Sequence, residues 1–243
     1  MKKATYDIEW NLEKSHWWFA GRRRLFKALL SSLMIHNGST VLDVGCGVGS
    51  NLPLLKSMGF KVIGIDSEIY SLFFTKKTSG VSLLNANLLT LPIKSNSVGL
   101  IIATDILEHL EKDVMGIKEI YRVLGRMGKV IITVPAFQVL WGTQDIVGMH
   151  KRRYSKKELA QKIEQEGFTI LKSSYFNFIL FFPIFFARWF IRFWGLNIES
   201  ENKINHPLIN NFLKTIFSLE PYLLRYISFP FGVSIFCVAR KGD

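Results

Sequence analysis

The stretch Val41-Leu42-Asp43-Val44-Gly45-Cys46-Gly47-Val48-Gly49-Ser50 constrains this chain more than any other. Apolar β-formers around an acid read as a buried strand. Three glycines at alternate positions read as the tight turn that leaves the strand and opens a helix. Glycine is required where the backbone takes positive φ or where a ligand must lie against bare main chain. A dinucleotide fingerprint has the form G-x-G-x-x-G. Laid from Gly45, its third glycine would fall at Ser50. The spacing here is D-x-G-x-G-x-G, with an acid two residues before the first glycine. Such a loop need not cradle a pyrophosphate, and it suits a cationic ligand lying along the backbone.

About twenty residues further on, Lys61-Val62-Ile63-Gly64-Ile65-Asp66 reads as a second strand that ends on an acid. That is the distance at which a carboxylate can accept hydrogen bonds from both hydroxyls of a ribose. A surface acid at a strand end would look the same in isolation. Together with Asp43 and the three glycines, Asp66 points to S-adenosylmethionine (SAM), which has a ribose and a positive charge but no phosphate.

From about position 40, apolar strand-like runs alternate with longer helix-like stretches, the pattern of an α/β sheet with crossovers. Strands are expected over 41–44, 61–66, 81–84, 98–104, 129–134, 168–175 and 231–240. Helices are expected from the glycine turn to about 58, over 114–124, and from a capping box at Ser155-Lys156-Lys157-Glu158 to about 166. The chain divides into an aromatic and basic arm with a helix (1–37), a cofactor-binding core (38–176), an apolar helical insertion (177–229) and a last core strand (230–243).

Several segments together match one family. V-L-D-x-G-C-G-x-G stands at 41–49, and an acid closes the second strand at Asp66. Asn87-Leu88-Leu89-Thr90-Leu91-Pro92 stands where family members often read D-A-x-x-L-P. Ala103-Thr104-Asp105-Ile106-Leu107-Glu108-His109-Leu110 and Tyr121-Arg122-Val123-Leu124, followed by Gly128, complete the likeness. On these residues the chain resembles the class I SAM-dependent methyltransferases, from roughly position 38 to 176 and over the final strand. The resemblance implies an α/β fold: a Rossmann-like seven-stranded, mostly parallel sheet with an antiparallel last strand. It implies SAM as cofactor, bound by Asp43, Gly45, Gly47, Gly49, Asp66, Asn87, Leu88 and Asp105. Asn87 replaces the acid expected at the adenine and would offer its side-chain carbonyl; Leu88 would offer its backbone N–H. A narrower likeness covers His16-Trp17-Trp18-Phe19, the segment 134–141, and His150-Lys151-Arg152-Arg153-Tyr154-Ser155. It is to a bacterial methyltransferase subgroup associated with lipid or surface-polysaccharide pathways.

Methyl transfer from SAM is an in-line displacement, so the protein mainly positions and desolvates the acceptor. His150, on the loop after the fifth strand, is the expected catalytic residue, because a histidine there can take the acceptor's proton at neutral pH. The bland alternative is an exposed loop histidine. Asp105, Glu108 and His109 have a spacing that resembles the metal-binding segment of quinone-ring O-methyltransferases and small-RNA 2′-O-methyltransferases, with His150 as a further ligand. Adjacent Glu and His share a helix face poorly, and metal-free family members also read L-E-H-L, so no resident metal is expected. Arg22, Arg23, Arg24, Lys151, Arg152 and Arg153, with Trp17, Trp18 and Tyr154, read either as solvated surface or as a lid that recognises phosphate.

The net charge of +12 attracts polyanions. A nucleic-acid acceptor is disfavoured, because the N/D-P-P-Y/F/W element of exocyclic-amine methylation is absent after the fourth strand. Cys46 and Cys237 form no disulfide framework or metal-ligand spacing, and the first residues lack the apolar core of a signal peptide. The expected location is cytoplasmic. The run 178–187 is apolar but broken by Pro183, and as a helix it covers roughly 15 Å, half of a ~30 Å hydrocarbon core. The strands on either side must pair in one sheet, so a single span is impossible. An amphipathic insertion lying on the anionic inner face of the membrane fits better, with Arg188 and Arg192 meeting head groups. The expected partner is a small-molecule or lipid-linked acceptor. Oligomeric state is open.

Overall fold

The computed structural model describes residues 12–13, 15–194 and 207–242. The continuous apolar runs become the middle of a sheet. β1 (Thr40–Val44) and β4 (Val98–Thr104) are buried along nearly their whole length, as parallel strands covered on both faces must be. With β2 (Lys61–Asp66), β3 (Ser82–Asn85), β5 (Leu124–Pro135), β6 (Phe168–Phe176) and β7 (Ser234–Lys241) they form one seven-stranded sheet in the order β3-β2-β1-β4-β5-β7-β6. Neighbours from β3 through β5 pair in parallel, and β7 runs antiparallel to both β5 and β6. The strand order reverses at β1 and β4. In open α/β sheets, ligands bind beyond the carboxyl ends of the strands at such a switch point.

The helices are α1 (Trp17–Ser32), α2 (Leu52–Ser57), α3 (Ile69–Thr78), α4 (Asp113–Val123), α5 (Thr143–Val147), α6 (Lys156–Gln165), α7 (Phe181–Phe193) and α8 (Pro207–Leu223). Two expected boundaries move. Leu124 leaves α4 with extended dihedrals and pairs with Val98, so its buried side chain joins the core from a strand. β7 starts at Ser234 rather than 231, because the Phe231 ring packs against Phe178 (4.6 Å) and Phe181 (5.1 Å) at the root of α7. At α6 the Ser155 hydroxyl accepts from the Glu158 N–H at 3.1 Å, the N-cap bond that the sequence announces.

The arm and the insertion, far apart in the chain, pack against each other as α1 and α8. The Trp17 N–H donates to Asn210 Oδ1 at 2.7 Å, and Asn210 Nδ2 donates to the Ser15 carbonyl at 2.9 Å. Trp18 stacks on Phe176 (5.9 Å) and on Phe217 (5.5 Å). The two helices approach so closely at Gly21 that a Cβ there would overlap the Phe217 ring. A Lys172 ammonium donates to the Leu224 carbonyl and ties the end of α8 to β6.

Candidate cofactor and acceptor site

The glycine turn follows β1 at the switch point. Gly45, Gly47 and Gly49 all have positive φ, at 72°, 54° and 90°. Gly49 has no room for a side chain, since a Cβ would lie 2.8 Å from Thr75 Cγ2, whereas Gly47 faces open space. Asp66, at the end of β2, reaches across to this turn. Its Oδ2 accepts from the Gly47 N–H at 2.8 Å, and its Oδ1 accepts from the Glu68 N–H at 2.8 Å. The carboxylate has about four lone-pair sites, so a ribose hydroxyl can add to these partners. Burial raises the Asp66 pKa, against hydrogen bonds from the Glu68 and Gly47 backbone and from Ser71.

Asp43 is wholly buried beneath the turn. Its Oδ1 accepts from Asn51 Nδ2 at 3.4 Å, and Asn51 also donates to Thr104 Oγ1 at 3.3 Å. Asp43 Oδ2 has no partner among the described residues. Burial pushes its pKa up to about 7, against the Asn51 bond and the positive Arg22. An orphaned carboxylate oxygen under bare backbone is what a cationic ligand needs, and a ribose acceptor stands beside it in Asp66. These residues fit SAM, which would supply the activated methyl group and its leaving group.

The other residues of the expected cofactor set already have partners within the chain. Asn87 Oδ1, expected at the adenine, accepts from the Leu89 N–H at 2.9 Å in a local Asx turn; Leu88 is buried beside it. Asp105 takes a left-handed conformation, φ 51°, directly after β4. Its Oδ1 accepts from Thr133 Oγ1 at 3.0 Å, and its Oδ2 is paired with Arg22 of α1. Asp105 therefore joins the arm to the core.

A second cluster of titratable side chains lies one strand over. Leu107–His109 is a single 3-10 turn, and in it Glu108 is fully buried. Glu108 and His109 converge with His150, their donor atoms within 4.8 Å of one another. The tighter turn removes the face problem expected of an α-helix. The rings of His109 and His150 stand at 88°, with centroids 4.7 Å apart. Burial raises the Glu108 pKa well above the usual carboxylate range. It also lowers His109 to about 4, helped by nearby His150.

His150 is not an exposed loop residue: its side chain is 15% accessible, and Nδ1 lies 2.8 Å from Asp145 Oδ1. Asp145, on α5, went unnoticed in the sequence. Burial opposes its ionisation, but hydrogen bonds from His150 and Arg153 outweigh this and hold it down to about 2. Arg153 Nε and Nη2 donate to its two oxygens at 2.8 and 2.9 Å, and the Gly142 N–H donates at 2.7 Å. The only sequence signal was an acid in the first turn after a glycine, five residues before His150.

The basic clusters are mostly spoken for. Arg22 pairs with Asp105 and Arg153 with Asp145, both in buried positions. Arg23 donates to the Glu13 carbonyl at 2.7 Å. Lys151 meets Glu111 at 2.8 Å and Arg152 meets Asp113 at 3.4 Å. The Tyr154 hydroxyl donates to Asp113 at 2.8 Å. Between the two readings these cations allowed, solvated surface or phosphate lid, the structure adds a third use: ion pairs within the chain, with Asp105, Glu111, Asp113 and Asp145.

The whole arrangement is that of the class I SAM-dependent methyltransferase fold. Residues 42–132 match the family model described as a methyltransferase domain, so the chain carries a methyltransferase domain over that segment. A probable SAM-dependent methyltransferase of Mycolicibacterium smegmatis is 25% identical over 162 residues, 65% of this chain and 62% of that protein. An uncharacterised protein of Methanocaldococcus jannaschii is 29% identical over 146 residues, 60% of each chain. The chain thus spans about three-fifths of the curated relatives it matches. A chain of the complex between the Haloferax volcanii Trm112 methyltransferase activator and a putative methyltransferase shares the fold at TM-score 0.67 and 16% identity, covering 99% of this chain and 97% of that one. A phosphoethanolamine N-methyltransferase of Haemonchus contortus, solved with SAM, shares it at TM-score 0.59 and 17% identity, over 89% of this chain and 52% of that one.

Proposed function

We propose that this chain moves a methyl group from SAM to an oxygen of an amphiphilic, lipid-linked or glycan-type acceptor, working on the inner face of the cytoplasmic membrane. Asp43, Asp66 and the glycine turn hold the donor. His150, oriented by Asp145, handles the proton of the acceptor hydroxyl.

The observation that carries the membrane half is the outer face of α7 and α8. No residue of α7 is buried. Phe186, Trp189 and Phe193 are 59%, 56% and 69% exposed, and Phe212 of α8 is 65% exposed. The exposed row Phe186, Trp189 and Phe193, at i, i+3 and i+7 on one side of α7, marks an interaction surface. Phe and Trp on an amphipathic helix suit the boundary between head groups and acyl chains. α7 has 13 residues, about 20 Å at 1.5 Å per residue. No helix among the described residues is long and apolar enough to cross a membrane. The net charge of +12 supplies attraction to anionic lipid.

Arg188 and Arg192, expected at the head groups, also donate to the carbonyls of Leu140 and Trp141. These bonds pin α7 to the loop that continues through α5 to His150, so the exposed helix and the acceptor side are mechanically joined.

The test is flotation of the full chain with vesicles containing phosphatidylglycerol. We expect co-flotation that weakens at high salt, and loss of it in a Phe186→Ser, Trp189→Ser, Phe193→Ser variant with unchanged SAM affinity. A wild-type chain that stays at the bottom of the gradient, or that elutes as a dimer with this face covered, contradicts the reading.

A further inference from the structure

We propose that Glu108, His109 and His150 bind one divalent transition-metal ion of the Zn2+ or Fe2+ kind, with Asp145 as the positioning residue behind it. The starting observation is Glu108. It is fully buried, and neither carboxylate oxygen has a partner among the described residues. A buried carboxylate in that state is costly unless a cation meets it. Two histidines stand next to it, with the charges of Asp105, Asp145 and Arg153 also felt there, and the three donors already lie within 4.8 Å of one another. Ligand distances of about 2.0–2.2 Å put the donors of one tetrahedral ion roughly 3.3–3.6 Å apart. Side-chain movements of about an ångström therefore close the site.

The surroundings are those of a metal centre. His150 gives Nδ1 to Asp145 at 2.8 Å, which leaves Nε2 for an ion. His109 is hydrogen-bonded to the backbone of Gly148. Metal-bound histidines characteristically have their second nitrogen held by a carboxylate or a carbonyl, and here one of each is present. Asp145 is itself locked by Arg153 and by the Gly142 N–H. The Lys151 N–H donates to the Glu108 carbonyl at 2.8 Å, which fixes the His150 loop to the 3-10 turn.

The donor set selects the ion. Two imidazoles and one carboxylate suit Zn2+ or Fe2+ better than Ca2+ or Mg2+. Three protein ligands leave at least one position open. Asp105 is not among them, since Arg22 and Thr133 already occupy its oxygens. A bound ion would lower the pKa of an acceptor hydroxyl in place of His150, whose two nitrogens would then be taken by the ion and by Asp145; that role rests on the oxygen-acceptor reading above, whereas the site itself does not.

The test uses the full-length, tag-free protein, stripped with chelator and titrated with ZnCl2 by calorimetry in the absence of any acceptor. SAM is titrated in parallel to verify the fold. We expect one Zn2+ per chain. Affinity should fall at least tenfold in Glu108→Gln and in His150→Ala, and about 10–100-fold in Asp145→Asn. Should His150→Ala fail to fold, the isosteric Glu108→Gln reads the same prediction. If the wild type binds no stoichiometric Zn2+, or if Glu108→Gln binds it undiminished, the site does not exist. Neither result touches SAM binding or flotation, so this proposal and the functional reading fail separately.

Discussion

The cofactor edge and the acceptor face of this molecule are built in different ways. The cofactor edge draws on the ends of β1 and β2 and the turn between β1 and α2. Its polar groups are linked by short, local bonds, such as Asp66 to the Gly47 N–H at 2.8 Å. The acceptor face gathers α1, the 107–109 turn, the loop through α5, and the helices α7 and α8. Its contacts join residues far apart in the chain: Arg22 with Asp105, Trp17 with Asn210, Asn177 with Glu220. A ligand common to many proteins is held by local geometry, whereas the part that must recognise one acceptor is assembled from separate pieces. The two halves should therefore respond independently to mutation.

The largest expected effect is on the acceptor face. His150→Ala should lower methyl transfer into cell extract by roughly a hundredfold with SAM affinity unchanged. An equal fall in SAM affinity would merge the two halves. Next comes Asp66→Ala, which should weaken SAM binding by about tenfold or more through lost charge-assisted bonds to the ribose. Unchanged binding by calorimetry would remove Asp66 from the site.

The smallest effect is a pH dependence confined to the cofactor edge. Asp43 in the free protein titrates near 7, held up by burial. Cationic SAM favours its ionised form, so binding releases a proton. SAM affinity should rise with pH from about 5.5 to 7 and then level off, and Asp43→Asn should flatten that rise. The stability of the cofactor-free chain runs the other way. Unfolded Asp loses its proton near about 4, whereas folded Asp43 keeps it to about 7, so this contribution falls as pH climbs between those values.

What could be read in advance follows the same division. The glycine turn, Asp66 and the strand positions depend on local pattern, and buried parallel strands write themselves as unbroken apolar runs. Leu124 was read as helix because a helical face and the start of a strand are both apolar there. The partners of Arg22 and Arg153 were illegible, since their acids lie 83 and 8 residues away and no periodicity links them. Asp145 carries no motif; its meaning comes from His150 folding back onto α5. The Asx turn that Asn87 closes on the Leu89 N–H was likewise unmarked by any motif. Gly21 looked ordinary until α8 was laid across it.

The central claim is that a SAM-dependent methyltransferase domain is joined to a surface that selects a membrane-associated acceptor. The full chain incubated with methyl-labelled SAM and total host extract, then partitioned between organic and aqueous phases, tests it most directly. The account predicts label in the organic phase, or in glycolipid at the interface, and loss of that label in His150→Ala. Label confined to aqueous nucleic acid or to free small molecules would contradict it.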